Sequence, residues 1–385
     1  MKQDDSLTLK DFERAEFESR WRRTRRLMEL AAIDAIVATR QGNYRYLSGH
    51  RSVQFAIDVR PMLLVLSLRS DPVLLIAGVE VPDARAQTWV SDIRGYQGVS
   101  FSPADLTGLL GDLGLERARL GWELGPRQRL GLPYEVFETA REQLPNATFV
   151  DASGIFEAAR LVKSAAELER VRRACDIAAV VYELVLSRVR TGLSIEQCEL
   201  LVLQAMLETG SDPDVRGIVS FGSYPKHHVY RAGDVLQLDF VTSHRGYRGD
   251  VTRRAVFGKP NRLHHRDHNE IVSVEQAVLA AMTAGTAANN VLDTCNQKLA
   301  DLGHAPIDGA GWIGHGVGLE LLEPPSLNQH DATVLRAGMV LTPEPWYFRS
   351  TNWVMVEDTV VVTEGQPASL GPPTFGYDVL RTIPD

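Results

Sequence analysis

The apolar and polar positions of the first 155 residues alternate between helical and strand-like spacing. Residues 17–32 carry apolar side chains at helical spacing among many arginines, and the short apolar run 35–38 follows them. Two further apolar runs, 62–68 and 72–77, are separated by the turn-forming sequence Arg-Ser-Asp, which predicts a pair of strands. Strands that alternate with helices in this way predict a small α/β domain.

Near residue 160 the pattern changes to longer helices. Two capping boxes, Ser164–Glu167 and Ser194–Gln197, predict where helices begin, because a serine hydroxyl there accepts from the third backbone N–H. Later helical patterns and strand-like apolar runs follow: helices at 270–284 and 288–302, and runs at 218–221, 235–242, 251–257, 339–342 and 354–362. We therefore expect two domains, at 1–157 and 158–385.

The composition is that of a soluble globular protein. Hydrophobic residues make up 44% and charged residues 23% of the 385 residues, and the net charge of −8 indicates no nucleic-acid or membrane partner. Cys175, Cys198 and Cys295 stand in helical patterns at long spacings, which excludes a disulfide scaffold and predicts core positions. The charged N-terminal sequence lacks the apolar core of a signal peptide, so we expect a cytoplasmic protein.

Two aspartates on neighbouring strand-like runs are the first candidates for chemistry. Asp239 alternates with Leu236, Leu238 and Phe240, so the aspartate faces away from the core that these apolar residues form. Asp250 follows eleven residues later, after a turn-like segment, and a hairpin would bring both carboxylates together. The alternative is two solvated acids near a turn. An aspartate between Leu and Phe favours the first interpretation, because its burial is costly unless it is paired or binds a metal.

Three further residues extend this acidic set. His315 lies among glycines in Gly-His-Gly-Val-Gly, Glu344 lies between two prolines after an apolar run, and Glu357 lies within an otherwise apolar run. Four buried carboxylates would repel one another strongly without cations. Carboxylates together with imidazole suit Mn, Co, Fe or Zn, and this number of carboxylates suits two ions.

The order and spacing of these five residues resemble the pita-bread metallopeptidase family, which includes methionine aminopeptidase, prolidase, aminopeptidase P and creatinase. The matching motifs are Asp-x-Thr-Arg at 250–253, Gly-His-Gly-x-Gly-Leu-Glu at 314–320 and Glu-Asp-Thr-Val at 357–360. The sequences Arg-Leu-Val-Lys-Ser at 160–164 and Tyr-Leu-Ser-Gly at 46–49 are similar to the creatinase/prolidase branch, whose members carry an extra N-terminal domain.

The resemblance implies an α+β fold with a C-terminal pita-bread domain, a smaller α/β N-terminal domain and a homodimer. It implies two divalent ions, with Asp250 and Glu357 bridging both, Asp239 binding the first, and His315 and Glu344 binding the second. The implied activity is that of a dinuclear metallohydrolase that cleaves the C–N bond of a short peptide or small molecule, with Glu344 as general base and then acid.

The substrate machinery departs from the family pattern. Peptidases of the family carry a second histidine seven residues after the metal-binding one, where this chain has Leu322, and the prolidase branch tends to carry arginine where this chain has Met355. A third histidine normally lies where this chain has Gly222, whereas His227 and His228 lie after a shortened loop. One of the two histidines is a candidate for the site, and two solvated loop histidines are the alternative.

These departures leave a second hypothesis open, a specialised non-peptidase that acts on a small metabolite by hydrolysis, elimination or metal-based oxidation. In the first domain, Tyr46 and His50 are candidates for substrate contact, because this domain in similar enzymes reaches a neighbouring subunit's active site. The polar segment that contains His264, His265 and His268 is expected to be a solvated surface.

Overall fold

The chain folds into two compact units that divide between Arg160 and Leu161. The computed structural model describes residues 9–57, 60–213, 219–220, 224–309, 311–350 and 352–384, with only the backbone described at 219–220. Within these ranges, no helix has the length and hydropathy that a transmembrane span requires.

The first unit is a six-stranded mixed sheet covered by helices. Its helices are α1 (Arg14–Leu30), α2 (Gln41–Ser48), α3 (Val81–Gln87), α4 (Pro103–Asp112), α5 (Tyr134–Gln143) and α6 (Ser153–Leu161). Its strands are β1 (Ala35–Ala38), β2 (Leu63–Ser67), β3 (Val73–Ala77), β4 (Asp92–Tyr96), β5 (Arg119–Trp122) and β6 (Thr148–Asp151), in the spatial order β4-β3-β2-β1-β5-β6. The predicted strand pair at 62–77 is confirmed, because β2 and β3 are antiparallel neighbours.

The second unit combines long helices with two sheets and a hairpin. Its helices are α7 (Ala165–Arg188), α8 (Ile195–Glu208), α9 (Arg262–Ala281) and α10 (Ala288–Asp301). One sheet has the order β17-β9-β8-β7, formed by β7 (Val219–Ser220), β8 (Val235–His244), β9 (Tyr247–Phe257) and β17 (Arg381–Ile383). The other has the order β11-β10-β12-β15-β16, formed by β10 (Gly314–Gly316), β11 (Glu323–Ser326), β12 (Val340–Pro343), β15 (Val360–Val361) and β16 (Ala368–Ser369). Strands β13 (Trp346–Arg349) and β14 (Asn352–Met355) form the hairpin.

The predicted capping boxes begin the two helices that support the first of these sheets. The Ser164 hydroxyl accepts from the Glu167 N–H at the start of α7, and the Ser194 hydroxyl accepts from the Gln197 N–H at the start of α8. The apolar stripe of α7 then packs against the apolar face of β8 and β9. All three cysteines are buried and unpaired, as predicted.

Two segments differ from their predictions. Helix α9 begins at Arg262, because the Asn261 side chain caps it by accepting from the N–H groups of two following residues. The helix turns His268 inward to 2% exposure, so the prediction of a solvated surface is wrong at this position. The apolar run 354–362 is also divided between β14 and β15, and Glu357 lies in the gap.

In the predicted strand at 218–221, residues 218 and 221 lie outside the described part of the chain.

Candidate metal centre

The hairpin of β8 and β9 carries two of the candidate carboxylates. In its antiparallel register Asp239 pairs with Thr252, and Asp250 pairs with Val241. These positions all lie on one face of the hairpin, because side chains alternate along a strand. The turn that closes the hairpin uses Gly246 at φ 75°, a conformation that glycine adopts without strain. Asp250 is only 4% exposed and Asp239 is partly buried, which excludes the alternative of two solvated acids.

His315 reaches the same place from β10, the strand between β11 and β12. A Cβ at Gly314 or Gly316 would overlap the carbonyl oxygens of neighbouring strands, so only glycine permits this close backbone approach. The His315 Nδ1–H donates to the Gly316 carbonyl at 3.0 Å, which directs Nε2 toward the carboxylates. That nitrogen lies 3.8 Å from Asp250 Oδ2 and 3.7 Å from Glu344 Oε1.

Glu344 and Glu357 complete the group. Glu344 directly follows β12, and its N–H donates to the carbonyl of Ile313 just before β10. Glu357 forms an isolated antiparallel bridge with Thr252 of β9, which brings its carboxylate into the same group. Asp250, His315 and Glu357 can each place one ligand atom within 4.8 Å of the others.

Burial and mutual repulsion dominate the electrostatics of these side chains. Burial raises the pKa of Asp239 to about 6, and burial together with the Asp239 charge raises the pKa of Glu344 to about 8. The pKa values of Asp250 and Glu357 lie well above their usual range, because burial and the neighbouring carboxylates both disfavour the charged form. Burial lowers the pKa of His315, which keeps the imidazole neutral and able to coordinate.

The donor set fits divalent cations. Asp250 Oδ1, Glu344 Oε1 and Glu357 Oε1 are buried, and no hydrogen-bond donor among the described residues reaches them. Buried carboxylate oxygens without partners are costly, and a cation would supply the missing interaction. The neutral imidazole and the oxygen-rich surroundings suit first-row divalent metals.

Two threonine hydroxyls that bond to the carboxylate-bearing residues were not predicted from the sequence. Thr252 Oγ1 donates to Glu357 Oε2 at 3.0 Å. Thr359 Oγ1 accepts from the Asp250 N–H at 3.0 Å and lies 2.8 Å from the Asp250 carbonyl, to which it donates. The signal for Thr252 was its place two residues after Asp250, which puts both side chains on one strand face. Thr359 had no such signal, because its partner is 109 residues away.

The two loop histidines interact with other residues. His227 is exposed, and its Nδ1 lies 3.3 Å from Glu196 Oε1. His228 Nε2 lies 2.7 Å from Asp234 Oδ2, and its ring stacks on Tyr224. A catalytic role for either histidine stays a prediction, and the family position at Gly222 lies outside the described residues.

The predicted substrate contacts lie in different settings. Leu322 is 52% exposed on the loop between β10 and β11, whereas Met355 is buried at the end of β14. In the first unit, Tyr46 is buried on α2 and its hydroxyl donates to the Ala159 carbonyl at 2.7 Å. His50 is also buried, with Nδ1 2.8 Å from the Tyr44 hydroxyl. The substrate roles of Leu322, Tyr46 and His50 remain predictions.

Comparison with known proteins agrees with this architecture. The profile of metallopeptidase family M24 matches residues 169–364, and that of the creatinase/prolidase N-terminal domain matches residues 20–162. A Xaa-Pro dipeptidase of Pyrococcus horikoshii is 27% identical over 242 residues, which cover 60% of this chain and 69% of the relative.

Two solved structures show the same fold over nearly the whole chain. A Xaa-Pro dipeptidase from Bacillus anthracis superposes with a TM-score of 0.81 at 24% identity, covering 95% of this chain and 100% of that one. A prolidase from Thermococcus sibiricus gives a TM-score of 0.83 at 18% identity, with 95% and 99% coverage. The expected pita-bread domain with a smaller N-terminal α/β domain is confirmed, and the chain belongs to metallopeptidase family M24, whose members are metal-dependent hydrolases.

Proposed function

We propose that the chain hydrolyses the C–N bond of Xaa-Pro dipeptides and uses two divalent ions to do so. The observation that carries this proposal is the cluster of four carboxylates and one neutral imidazole, in which three buried oxygens have no hydrogen-bond partner among the described residues. The similarity to a Xaa-Pro dipeptidase supports the choice of bond.

Asp239, Asp250, His315, Glu344 and Glu357 would hold the ions. In this proposal Asp250 and Glu357 would serve both ions, Asp239 would serve the first, and His315 and Glu344 would serve the second. The bound ions would polarise the scissile carbonyl and lower the pKa of water toward neutrality, as in other metallohydrolases.

Glu344 is the residue best suited to move a proton in this reaction. Its carboxyl lies 3.7 Å from His315 Nε2 and is largely buried, so its proton affinity depends strongly on neighbouring charge. It would accept a proton from the attacking water and return it to the leaving amine. The partial burial of Glu344 limits its contact with bulk water, which strengthens the interaction of this carboxylate with any nearby charge.

Xaa-Pro hydrolysis by the metal-loaded protein tests the proposal. The protein is stripped with a chelator, reloaded with Mn, Co or Zn, and assayed on Ala-Pro, with Ala-Ala as the matched control. Two ions per chain by elemental analysis and faster cleavage of Ala-Pro are expected. Two bound ions without turnover of either dipeptide, with any of the three metals, would overturn the peptidase proposal and favour the non-peptidase hypothesis.

The resemblance also implies the assembly. We propose that the protein is a homodimer in the cytoplasm. Sedimentation of the metal-loaded protein at micromolar concentration tests the dimer. A monomer under those conditions would remove the neighbouring subunit on which the substrate roles of Tyr46 and His50 depend.

A further inference from the structure

Arg254 is a buried cation next to the metal centre. It lies on β9 two residues after Thr252, and in the antiparallel register it pairs with Gln237 as Thr252 pairs with Asp239. Alternation along the strands therefore places Arg254 on the same face of the sheet as Asp239 and Asp250. The distance along the strand from Thr252 to Arg254 is roughly 7 Å, about the length of one dipeptide.

A cavity opens at this position. Its walls include Tyr224 from the segment before β8 and side chains of β8, β9, β14 and α9: Gln237, Arg254, His264, Asp267 and Trp353. Arg254 itself is only 4% exposed, and no acceptor among the described residues reaches its Nε or Nη1. A buried guanidinium with two nitrogens that reach no acceptor among the described residues is costly to the fold, so its presence calls for an explanation.

The polar neighbours in the cavity already have partners of their own. The Asp267 carboxylate, the acidic group on the cavity wall, is paired with Arg349. The Gln237 Oε1 accepts from the Met355 N–H at 2.9 Å. The cavity therefore keeps a fixed positive charge, with the N–H groups of a planar fork available to a ligand.

The adjacent arginine shows the contrast. Arg253 projects from the opposite face of β9, where Nη2 donates to Asp358 Oδ1 at 2.9 Å and to the Phe375 carbonyl at 2.7 Å. Arg253 thus has an ion pair within the protein. Arg254 instead lines a cavity that a ligand could enter. The two residues provide a matched pair for experiment.

We propose that Arg254 binds a carboxylate group of the substrate in this cavity and thereby makes the enzyme prefer anionic peptides. The proposal rests on the proposed peptidase function, since the cavity is taken as a subsite of the same centre. A guanidinium recognises a carboxylate through two parallel N–H···O bonds, which a lysine cannot reproduce. The carboxylate has two sources in a dipeptide, the C-terminus and an acidic side chain.

Two pairs of substrates separate these sources. Ala-Pro is compared with its C-terminal amide, and Glu-Pro is compared with Gln-Pro, on the wild type and on Arg254→Met. Arg262→Met, which removes an exposed arginine at the start of α9, is the control for net charge. In at least one pair the wild type should favour the acid, and Arg254→Met should reduce that kcat/KM ratio by about 10- to 100-fold. Unchanged ratios in both pairs would overturn the proposal.

Thermal stability provides a second, independent test of the role of Arg254. If Arg254 is kept for a ligand, replacing it by methionine removes a buried charge that has no ion pair among the described residues, so Arg254→Met should melt at the same temperature as the wild type or higher. Arg253→Met should melt lower, because it leaves Asp358 buried without its cation. A large decrease in melting temperature for Arg254→Met would show a structural role. Arg254→Lys then serves for the kinetic comparison and should lose most of the preference.

Failure of the peptidase proposal remains distinguishable from failure of this one. If the wild type cleaves no dipeptide, binding is read from the thermal shift produced by N-acetylproline and by N-acetylprolinamide. Stabilisation of the wild type by the acid alone, absent in Arg254→Met, supports carboxylate binding without peptidase activity. Equal shifts in both proteins would overturn the inference.

Discussion

Thr252 and Glu357 are joined through both backbone and side chain. Each residue donates its N–H to the other's carbonyl at 3.3 Å, and the Thr252 hydroxyl donates to Glu357 Oε2 at 3.0 Å. This bridge connects the β8–β9 hairpin to the gap between β14 and β15. It therefore fixes the position of one candidate ligand, Glu357, relative to another, Asp250, which lies two residues before Thr252.

Replacement of Thr252 by valine should weaken metal binding while the fold persists. Valine keeps the shape and the backbone bridge but removes the hydroxyl, so the Glu357 carboxylate loses a donor that orients it. Loss of such an orienting bond typically lowers metal affinity by about 10- to 100-fold. Calorimetric titration with Mn or Zn measures this change, and Thr252→Ser, which keeps the hydroxyl, should bind nearly as the wild type does. Equal affinity in the valine variant would contradict the orienting role.

Asp250→Asn or Glu357→Gln should expel at least one ion and abolish activity. Each change removes a charged ligand, and its effect should exceed the about 10- to 100-fold loss expected for an orienting residue. The metal-free variants should melt at or above the temperature of the metal-free wild type, because one of several repelling carboxylates is gone. Elemental analysis and melting curves measure both effects, with the exposed helical substitution Asp293→Asn as control.

His315→Ala should affect only part of the metal content. In the proposed arrangement His315 serves the second ion, so this variant should retain about one ion per chain. Two full-strength sites in Asp250→Asn would refute the assignment of the centre. Loss of all metal from His315→Ala would instead refute only the division of ligands between the two ions.

The metal-free protein should become less stable as the pH rises. The Glu344 pKa is raised to about 8 by burial and by Asp239, whereas in the unfolded chain it lies near its ordinary value of 4.5. The folded state then binds more protons than the unfolded state between these values, so the free energy of unfolding falls from about pH 4.5 to about pH 8. The difference in melting temperature between metal-free wild type and Glu344→Gln isolates this contribution. The melting temperature of the wild type relative to Glu344→Gln should be lowest at pH 8. A difference in melting temperature that does not depend on pH would contradict the raised pKa.

Sequence patterns predicted the parts of this structure that depend on local chemistry. The capping serines and the alternation that turns Asp239 away from the core each have a short-range cause, and each lies as expected. The helix predicted at 270–284 is α9, but its start was placed eight residues too late, because the first turns after the Asn261 cap are polar and lack the apolar pattern of a helix.

Long-range partners could not be predicted in the same way. The hydroxyl of Thr359 meets the backbone of Asp250, and the carbonyl of Glu357 meets the N–H of Thr252, only after the two sheets have come together. That no acceptor among the described residues reaches Arg254 Nε or Nη1 is also a property of the packed cavity, since Arg253 beside it has the same charge and an ion pair.

A buried ion pair just before α7 should matter for stability. Lys163 Nζ lies 3.0 Å from Glu323 Oε2, and both side chains are almost completely buried. Lys163→Met removes this cation from the buried Glu323 carboxylate, which should cost about 3–5 kcal/mol of unfolding free energy. Chemical denaturation measures the loss. The double variant with Glu323→Gln should recover most of it, because the amide oxygen can still accept from the Glu320 N–H; an equally unstable double variant would contradict this explanation.

Replacement of Leu322 by histidine should increase peptide turnover. Leu322 stands where the resemblance implies a histidine that contacts the substrate, and leucine offers no hydrogen bond there. The side chain is 52% exposed on the loop between β10 and β11, so an imidazole can be accommodated without opening the core. Because a positioned acid or base contributes about 10²–10⁴-fold in evolved sites, a newly introduced one should raise kcat/KM for Ala-Pro by about tenfold.

The control for Leu322→His is Leu322→Phe, which adds a ring of similar size without a donor. The histidine variant alone should gain activity, and its gain should change with pH near the ordinary pKa of imidazole, about 6.5. The phenylalanine variant should show neither effect. A histidine variant that binds two ions but cleaves Ala-Pro no faster than the wild type would mean that the loop serves a different substrate, as the non-peptidase hypothesis requires.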